Sequence, residues 1–232
     1  MPKKPVRIAS FALAAVVALG LLTIVGCVRT SGGVWYFKSA AFPEGWPELT
    51  PVGEVQIREY PVYRAATVTR DDAEGGMGPM FGTLFEHIKS NDIAMTAPVD
   101  MGYAEQGPAD DGAGDTGSSD AMSSMAFLYR TPDLGEPGTD GLVRIDDVEP
   151  ATYASVGVRG GYSQTNFERG LGLVNAWLES QEDWRPIGPP RYLGYNGPFT
   201  PVFWRYGEVQ VPVQENAAQD GAVQEPPADG DR

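Results

Sequence analysis

The chain contains one histidine, His87, and one cysteine, Cys27, and these two counts bound its chemistry. A His–Cys–His zinc cluster, a two-histidine metal helix and a Cys-rich metal site are all excluded, as is an internal disulfide. A serine triad would have to recruit His87, and no Gly-x-Ser-x-Gly elbow supplies its nucleophile. No paired carboxylates or nucleophile–base pair can be assembled either, so no catalytic residue is assigned and no enzymatic activity is expected. The acidic runs lack the alternating spacing and closing Glu of a calcium loop. What remains is binding chemistry. Met95 offers a thioether, although a methionine on a strand is most often packing. Arg58, Arg64, Arg159 and Arg205 fall on expected strands with guanidinium forks that suit carboxylates. Their simplest partners are neighbouring acids, Glu59 and Glu208 among them.

Charge narrows the partners. The formal net charge is −14, and a surface of that sign repels phosphate backbones, so nucleic-acid binding is disfavoured. The N-terminus reads as an address. Lys3, Lys4 and Arg7 precede the uncharged run Ile8 to Val25, which closes on Thr23-Ile24-Val25-Gly26-Cys27. A basic start, an apolar stretch and a small residue before the cut describe a secretory signal over residues 1–26. The Ile-Val-Gly-Cys ending resembles a bacterial lipobox, which implies cleavage before Cys27 and lipid attachment to it. Cleavage would leave 14 basic against 31 acidic residues, a formal −17. The alternative is an uncleaved transmembrane anchor, since the run is just long enough to span. Either tethers the protein to a membrane of the cell envelope, with the domain facing the periplasm or the exterior.

Residues 27–47 read as a tether, although Trp35, Tyr36, Phe37, Phe42 and Trp46 are many aromatics for one. Residues 104–121 carry five acids, no base and otherwise almost only small residues, and they read as a disordered insertion. Residues 214–232 have the same character. One folded domain over 48–213 is left. Its first half alternates over Val55–Tyr60 and Tyr63–Thr69, then gives a Gly-rich connector, a helix with Phe81, Leu84, Phe85 and Ile88 on one stripe, and a strand Ile93–Met101. The second half repeats the plan: strands Leu142–Val148 and Thr152–Arg159, a helix near 165–181 with Phe167, Leu171, Val174 and Leu178 on one stripe, and strands at Arg191–Tyr195 and Trp204–Val213. The expected class is α+β, a duplicated ββαββ unit. Setting the first stripe as the apolar centre, His87 falls roughly 110° away at ~100° per residue, on the flank of its helix.

Three segments resemble the SOUL haem-binding family. They are Val55-Gln56-Ile57-Arg58-Glu59-Tyr60-Pro61; Leu84-Phe85-Glu86-His87-Ile88 with Asn91 and Ile93-Ala94-Met95-Thr96-Ala97-Pro98-Val99; and Gly197-Pro198-Phe199-Thr200-Pro201 followed by Trp204-Arg205-Tyr206-Gly207-Glu208-Val209. The Met-Thr-Ala-Pro-Val segment is the most specific. The resemblance implies a distorted antiparallel barrel of two four-stranded sheets with two flanking helices, and haem or another tetrapyrrole as cofactor. It makes His87 and Met95 candidate axial ligands, Arg58, Arg64, Arg159 and Arg205 candidate partners of the propionates, and implies no metal site independent of haem. The sequence departs from the family at Tyr206 and Gly207, where basic and Asn residues are usual, and at His87, where Tyr is usual.

The reading is therefore a membrane-tethered, monomeric binding protein for haem or a similar planar apolar molecule. Pro98 has no amide to donate, so its segment belongs at a strand's edge, bulge or end, where it can shape a cleft. The alternative is a structural or partner-binding envelope lipoprotein that kept the fold and lost the ligand. An enzyme acting on tetrapyrrole ranks last.

Overall fold

The computed structural model describes residues 28–74, 76–103 and 122–216. The leader with Cys27, the acidic insertion and most of the acidic tail lie outside the described residues. Among the described residues, twelve strands and two α-helices are formed, with a short 3-10 turn at Val202–Trp204. They are β1 (Val28–Ser31), β2 (Val34–Phe37), β3 (Val55–Tyr60), β4 (Tyr63–Thr69), α1 (Met77–Ser90), β5 (Val99–Tyr103), β6 (Met122–Leu128), β7 (Gly138–Asp140), β8 (Val143–Val148), β9 (Ala151–Arg159), α2 (Gln164–Glu179), β10 (Trp184–Pro186), β11 (Arg191–Gly194) and β12 (Tyr206–Glu215). Among the described residues no helix is long and apolar enough to cross a membrane.

The α+β class holds: one antiparallel ten-stranded sheet carries two helices, and β1 and β2 form a separate hairpin. The expected barrel does not. The strand order is β3-β9-β12-β11-β5-β6-β4-β8-β7, with β10 on β12, and its two ends do not pair. The terminal strand β7 is three exposed residues, too short to close the ladder. Read outward from the central β11–β5 pair, the order is β12, β9, β3 on one side and β6, β4, β8 on the other. The first strand of each half thus lies with the strands of the other half.

The helix faces are set by what covers them. On α1 the buried residues are Met80, Leu84, His87 and Ile88, while Phe85 is 48% exposed. The apolar stripe read from the sequence is therefore rotated toward His87. α1 lies across β4 and β6 and also touches β8, so its His87 flank is covered and its Phe85 flank is not. On α2 the expected stripe is close to the observed one, with Phe167, Val174 and Leu178 buried and Leu171 partly so. Ser163 caps this helix, its Oγ accepting from Asn166 N at 3.3 Å, in place of one unpaired first-turn amide.

Three expected boundaries move. The strand expected over Ile93–Met101 begins only at Val99, because Pro98 cannot donate to a ladder. The residues before it are stitched individually instead: Ile93 N donates to Ile88 O at 2.8 Å, Ala97 N to Ala41 O at 2.9 Å, and Thr96 Oγ1 to Leu128 O. The segment expected as a tether, 27–47, is folded onto the domain from residue 28 on, with Val34 and Tyr36 buried and Phe42 and Trp46 packed against them. The tail is paired further than expected: Gln214 and Glu215 lie opposite Arg185 and Trp184.

Candidate functional site

The sheet has two covered faces, which explains why β12 is buried without a break from Tyr206 to Val211 while its side chains alternate. Val209, Val211 and Val213 join the core beneath the helices. Glu208 and Gln210 point the other way, toward the segment 34–52, and there the polar chemistry of the domain is concentrated.

Glu208 is fully buried among neutral donors. Its Oε1 accepts from Thr50 N at 2.7 Å and Tyr206 Oη at 2.8 Å. Its Oε2 accepts from Tyr195 Oη at 2.9 Å, Gln210 Nε2 at 2.9 Å and Tyr60 Oη at 3.2 Å. Burial, and then the Glu208 charge, push Tyr60, Tyr195 and Tyr206 well above the usual tyrosine range, so all three stay protonated donors. Gln210 links this carboxylate to a cation, since its Oε1 accepts from Arg191 Nε at 2.9 Å. Arg191 Nη1 also donates to Tyr63 Oη at 2.7 Å and Asp100 Oδ2 at 3.0 Å, and its Cζ lies 4.0 Å from the centre of the Tyr153 ring. Burial works against the Arg191 charge, but Asp100 and the facing tyrosines outweigh it and its affinity for the proton rises. Burial pushes Asp100 up and Tyr63 to about 12. Arg191 Nη2 is buried and has no hydrogen-bond partner, an unmet donor in an otherwise satisfied network.

Segment 34–52 roofs this floor. Trp46 stands edge-on to Tyr60 and Tyr63, with ring centres 4.8 and 5.4 Å apart, and its Nε1 donates to Tyr195 Oη at 3.1 Å. Phe42 stacks on Tyr36 and meets Tyr195 edge-on. Thr50 Oγ1 donates to Ser155 Oγ at 3.0 Å, and Tyr206 Oη reaches Thr50 O at 2.6 Å. The roof comes this close because Gly157 lies beneath it: a Cβ there would run into the carbonyl oxygens of Thr50 and Pro51. Gly207 has an equally plain reason, since a Cβ would lie 2.5 Å from the Tyr192 ring and 2.9 Å from Leu193 O.

The model of the SOUL heme-binding protein family matches residues 48–212. The chain belongs to that family. The SOUL domain is also similar in fold to two solved structures. One is the cryo-EM structure of the EcmrR–DNA complex in EcmrR-RPo, at 15% identity and TM-score 0.51, covering 70% of this chain and 58% of that one. The other is the crystal structure of the EcmrR C-terminal domain, at 13% identity and TM-score 0.50, covering 70% and 98%. No curated protein matches the sequence. The SOUL match begins at residue 48, so most of the roof, residues 34–47, precedes the family's shared domain.

The six candidate ligand residues do not converge. His87 is buried on the helix side of the SOUL domain, with Nδ1 2.7 Å from Asp140 Oδ2 and Nε2 2.8 Å from Tyr129 Oη. The network is satisfied when Nδ1–H donates to Asp140 and Nε2 accepts from Tyr129, and both ring nitrogens are then in use. Met95 packs against the core beneath the helices. Arg64 grips Asp147 through Nε at 2.7 Å and Nη2 at 3.0 Å, and it also donates to Leu134 O and Gly135 O. Arg58 donates to Gln56 Oε1 at 2.6 Å and Leu49 O at 3.2 Å. Only Arg159 and Arg205 share a neighbourhood, where Gly160 N donates to Arg205 O at 3.2 Å. The pairing of strand arginines with acids holds for Arg64, not for Glu208, which takes tyrosines instead.

Sequence reasoning passes over Arg191 and reads Glu208 only as a partner for an arginine. For Glu208 the signal was there, polar residues at i and i+2 with apolar neighbours in Glu208-Val209-Gln210-Val211, whereas Arg191-Tyr192-Leu193 offers a single polar position and no repeat. In a sheet covered on both faces that pattern marks a buried polar stripe, whereas in a half-exposed sheet it marks solvent.

Proposed function

We propose that this SOUL domain binds haem or another planar, apolar, carboxylate-bearing tetrapyrrole, and that it does so tethered to the cell-envelope membrane through Cys27. The family match over residues 48–212 is the observation that carries the reading. The residues suit part of such a ligand. The floor beneath the roof offers a buried guanidinium with an unmet donor, Arg191 Nη2, and the flat rings of Tyr60, Tyr63 and Tyr153 around it. A propionate paired to Arg191 and a macrocycle against those rings would use both features. An axial iron ligand is not supplied there, because His87 and Met95 both serve the helix side. Binding is therefore by cleft and cation, not by iron ligation, and it requires the 41–47 segment to lift from the floor. The role is binding, not catalysis, and the protein acts as a monomer without nucleic acid. The matched strand orders on either side of β11–β5 support a duplicated ββαββ unit as the origin of the domain.

Titrating haemin into the purified full chain tests this. Saturable one-to-one binding with a shifted Soret band is expected. His87→Ala should leave it unchanged, Arg191→Gln should weaken it about tenfold or more, and Trp46→Ala should tighten it by loosening the roof. Non-saturating uptake alone discards the reading. A second reading, a structural or partner-binding envelope lipoprotein, draws on one specific observation: the chain's own residues 34–52 already cover the floor.

A further inference from the structure

At one end of the domain, side chains that belong in a core face outward. Trp35 and Phe37 come from β2; Phe199, Val202, Phe203 and Trp204 come from the connection between β11 and β12. Phe199 is 98% exposed and Phe203 68%. Four of the rings form one surface, with Phe199 and Val202 from the same connection: Phe37 stacks on Trp204 with centres 5.3 Å apart, Phe203 meets Trp204 at 5.1 Å, and Trp35 meets Phe37 at 6.2 Å. Isolated exposed apolar residues need no explanation, but a contiguous aromatic set does.

The surface is held in shape from behind. Arg159 donates to Trp204 O at 3.0 Å and to Trp35 O, and its guanidinium lies 3.8 Å from the centre of the Trp35 ring. Asn196 Nδ2 donates to Phe37 O at 2.7 Å, and Arg205 donates to Thr200 O at 2.9 Å and Pro198 O at 2.8 Å. Two chain segments far apart in sequence are thus clamped into one rigid face.

Its place in the chain and its charge indicate the occupant. Val28, the residue directly after Cys27, begins β1 and pairs with Phe37 of β2, so Cys27 directly precedes the strand that is paired with the patch-bearing one. In a chain of formal charge −14, residues 28–43 hold Arg29 and Lys38 and no acid, and residues 196–207 hold Arg205 and no acid. Aromatic rings mixed with cations suit the headgroup level of a bilayer, where tryptophan is enriched and anionic lipid attracts Lys and Arg.

We propose that this end of the domain is a membrane-docking face, seated in the headgroup region of an anionic bilayer beside the anchor at Cys27. The proposal rests on the anchoring reading above. It makes the domain lie on the membrane in one fixed orientation, with β1, β2 and the 199–204 loop facing the lipid.

Tryptophan emission reads this directly, because Trp35 is the first of the five tryptophans and the leader contributes none. The full chain is reconstituted into phosphatidylcholine vesicles containing phosphatidylglycerol, with brominated acyl chains as quencher, and is recovered by flotation. Wild-type protein should float and be quenched. Phe199→Ser/Phe203→Ser, which alters only exposed side chains, should float equally and lose about half or more of the quenching. Floated protein with unquenched tryptophans, or equal quenching in both proteins, overturns the docking face and leaves the anchor standing. Protein that does not float overturns the anchor and the docking face with it.

Discussion

Glu208 concentrates the energetics of the polar floor in one side chain. Five donors converge on a carboxylate sealed from water, and a buried donor left without its acceptor costs more than an average hydrogen bond contributes. Glu208→Gln keeps the shape but sets an amide NH2 against hydroxyl and amide donors. We expect it to lower unfolding stability by about 2–4 kcal/mol, read as a reduced urea midpoint. His87 teaches a related point. Its lone occurrence invites a role as a ligand, yet its partners Asp140 and Tyr129 lie 53 and 42 residues along the chain. Hydrogen bonding to His87, and then to Asn91, holds Asp140 below the usual carboxylate range. No local pattern around His87 announces either partner.

At the scale of elements, the segment expected as a tether, 27–47, changes character between sequence and structure. Its composition looks like a linker, with Ser31-Gly32-Gly33, Pro43 and Pro47 within it. Its aromatics are spent on the floor instead. Gly157→Ala isolates that contact, because the new methyl group would collide with the backbone carbonyls of Thr50 and Pro51, which cannot swing aside as a side chain can. We expect a loss of about 1–3 kcal/mol, with a red shift in tryptophan emission as Trp46 is released. The strands and helices themselves were largely legible. β3, β4, β8, β9, α2 and β11 fall within a residue or two of their expected bounds, because alternation and the 3.6-residue period are local signals. β6 was not located. It follows the acidic insertion, and its Ser123 and Ser124 break the alternation of its apolar residues.

For the whole molecule, acid stability follows the paired carboxylates. The hydrogen bond from Arg64 holds Asp147 below the usual carboxylate range, and the network at His87 does the same for Asp140. A carboxylate whose folded value is lowered stabilises the fold above its unfolded value, about 3.9, and that contribution is lost as pH falls through the lowered folded value. Asp147→Asn should therefore be less stable than wild type at neutral pH, and the gap between their thermal midpoints should close below about pH 4. A gap that persists unchanged into acid would show that Asp147 acts through packing. Asp147 is partly exposed, so the neutral-pH gap should be modest.

The sequence by itself determined the class, the helices, most of the strands and the SOUL membership, because each is written in residues close together along the chain. Tertiary structure alone decided that the sheet stays open, that residues 34–52 cover its second face, and that Glu208 is met by tyrosines while His87 is turned inward. Those outcomes depend on which strands become neighbours and in what register. Register brings Tyr60 to Glu208 across 148 residues, a separation over which no periodicity carries information.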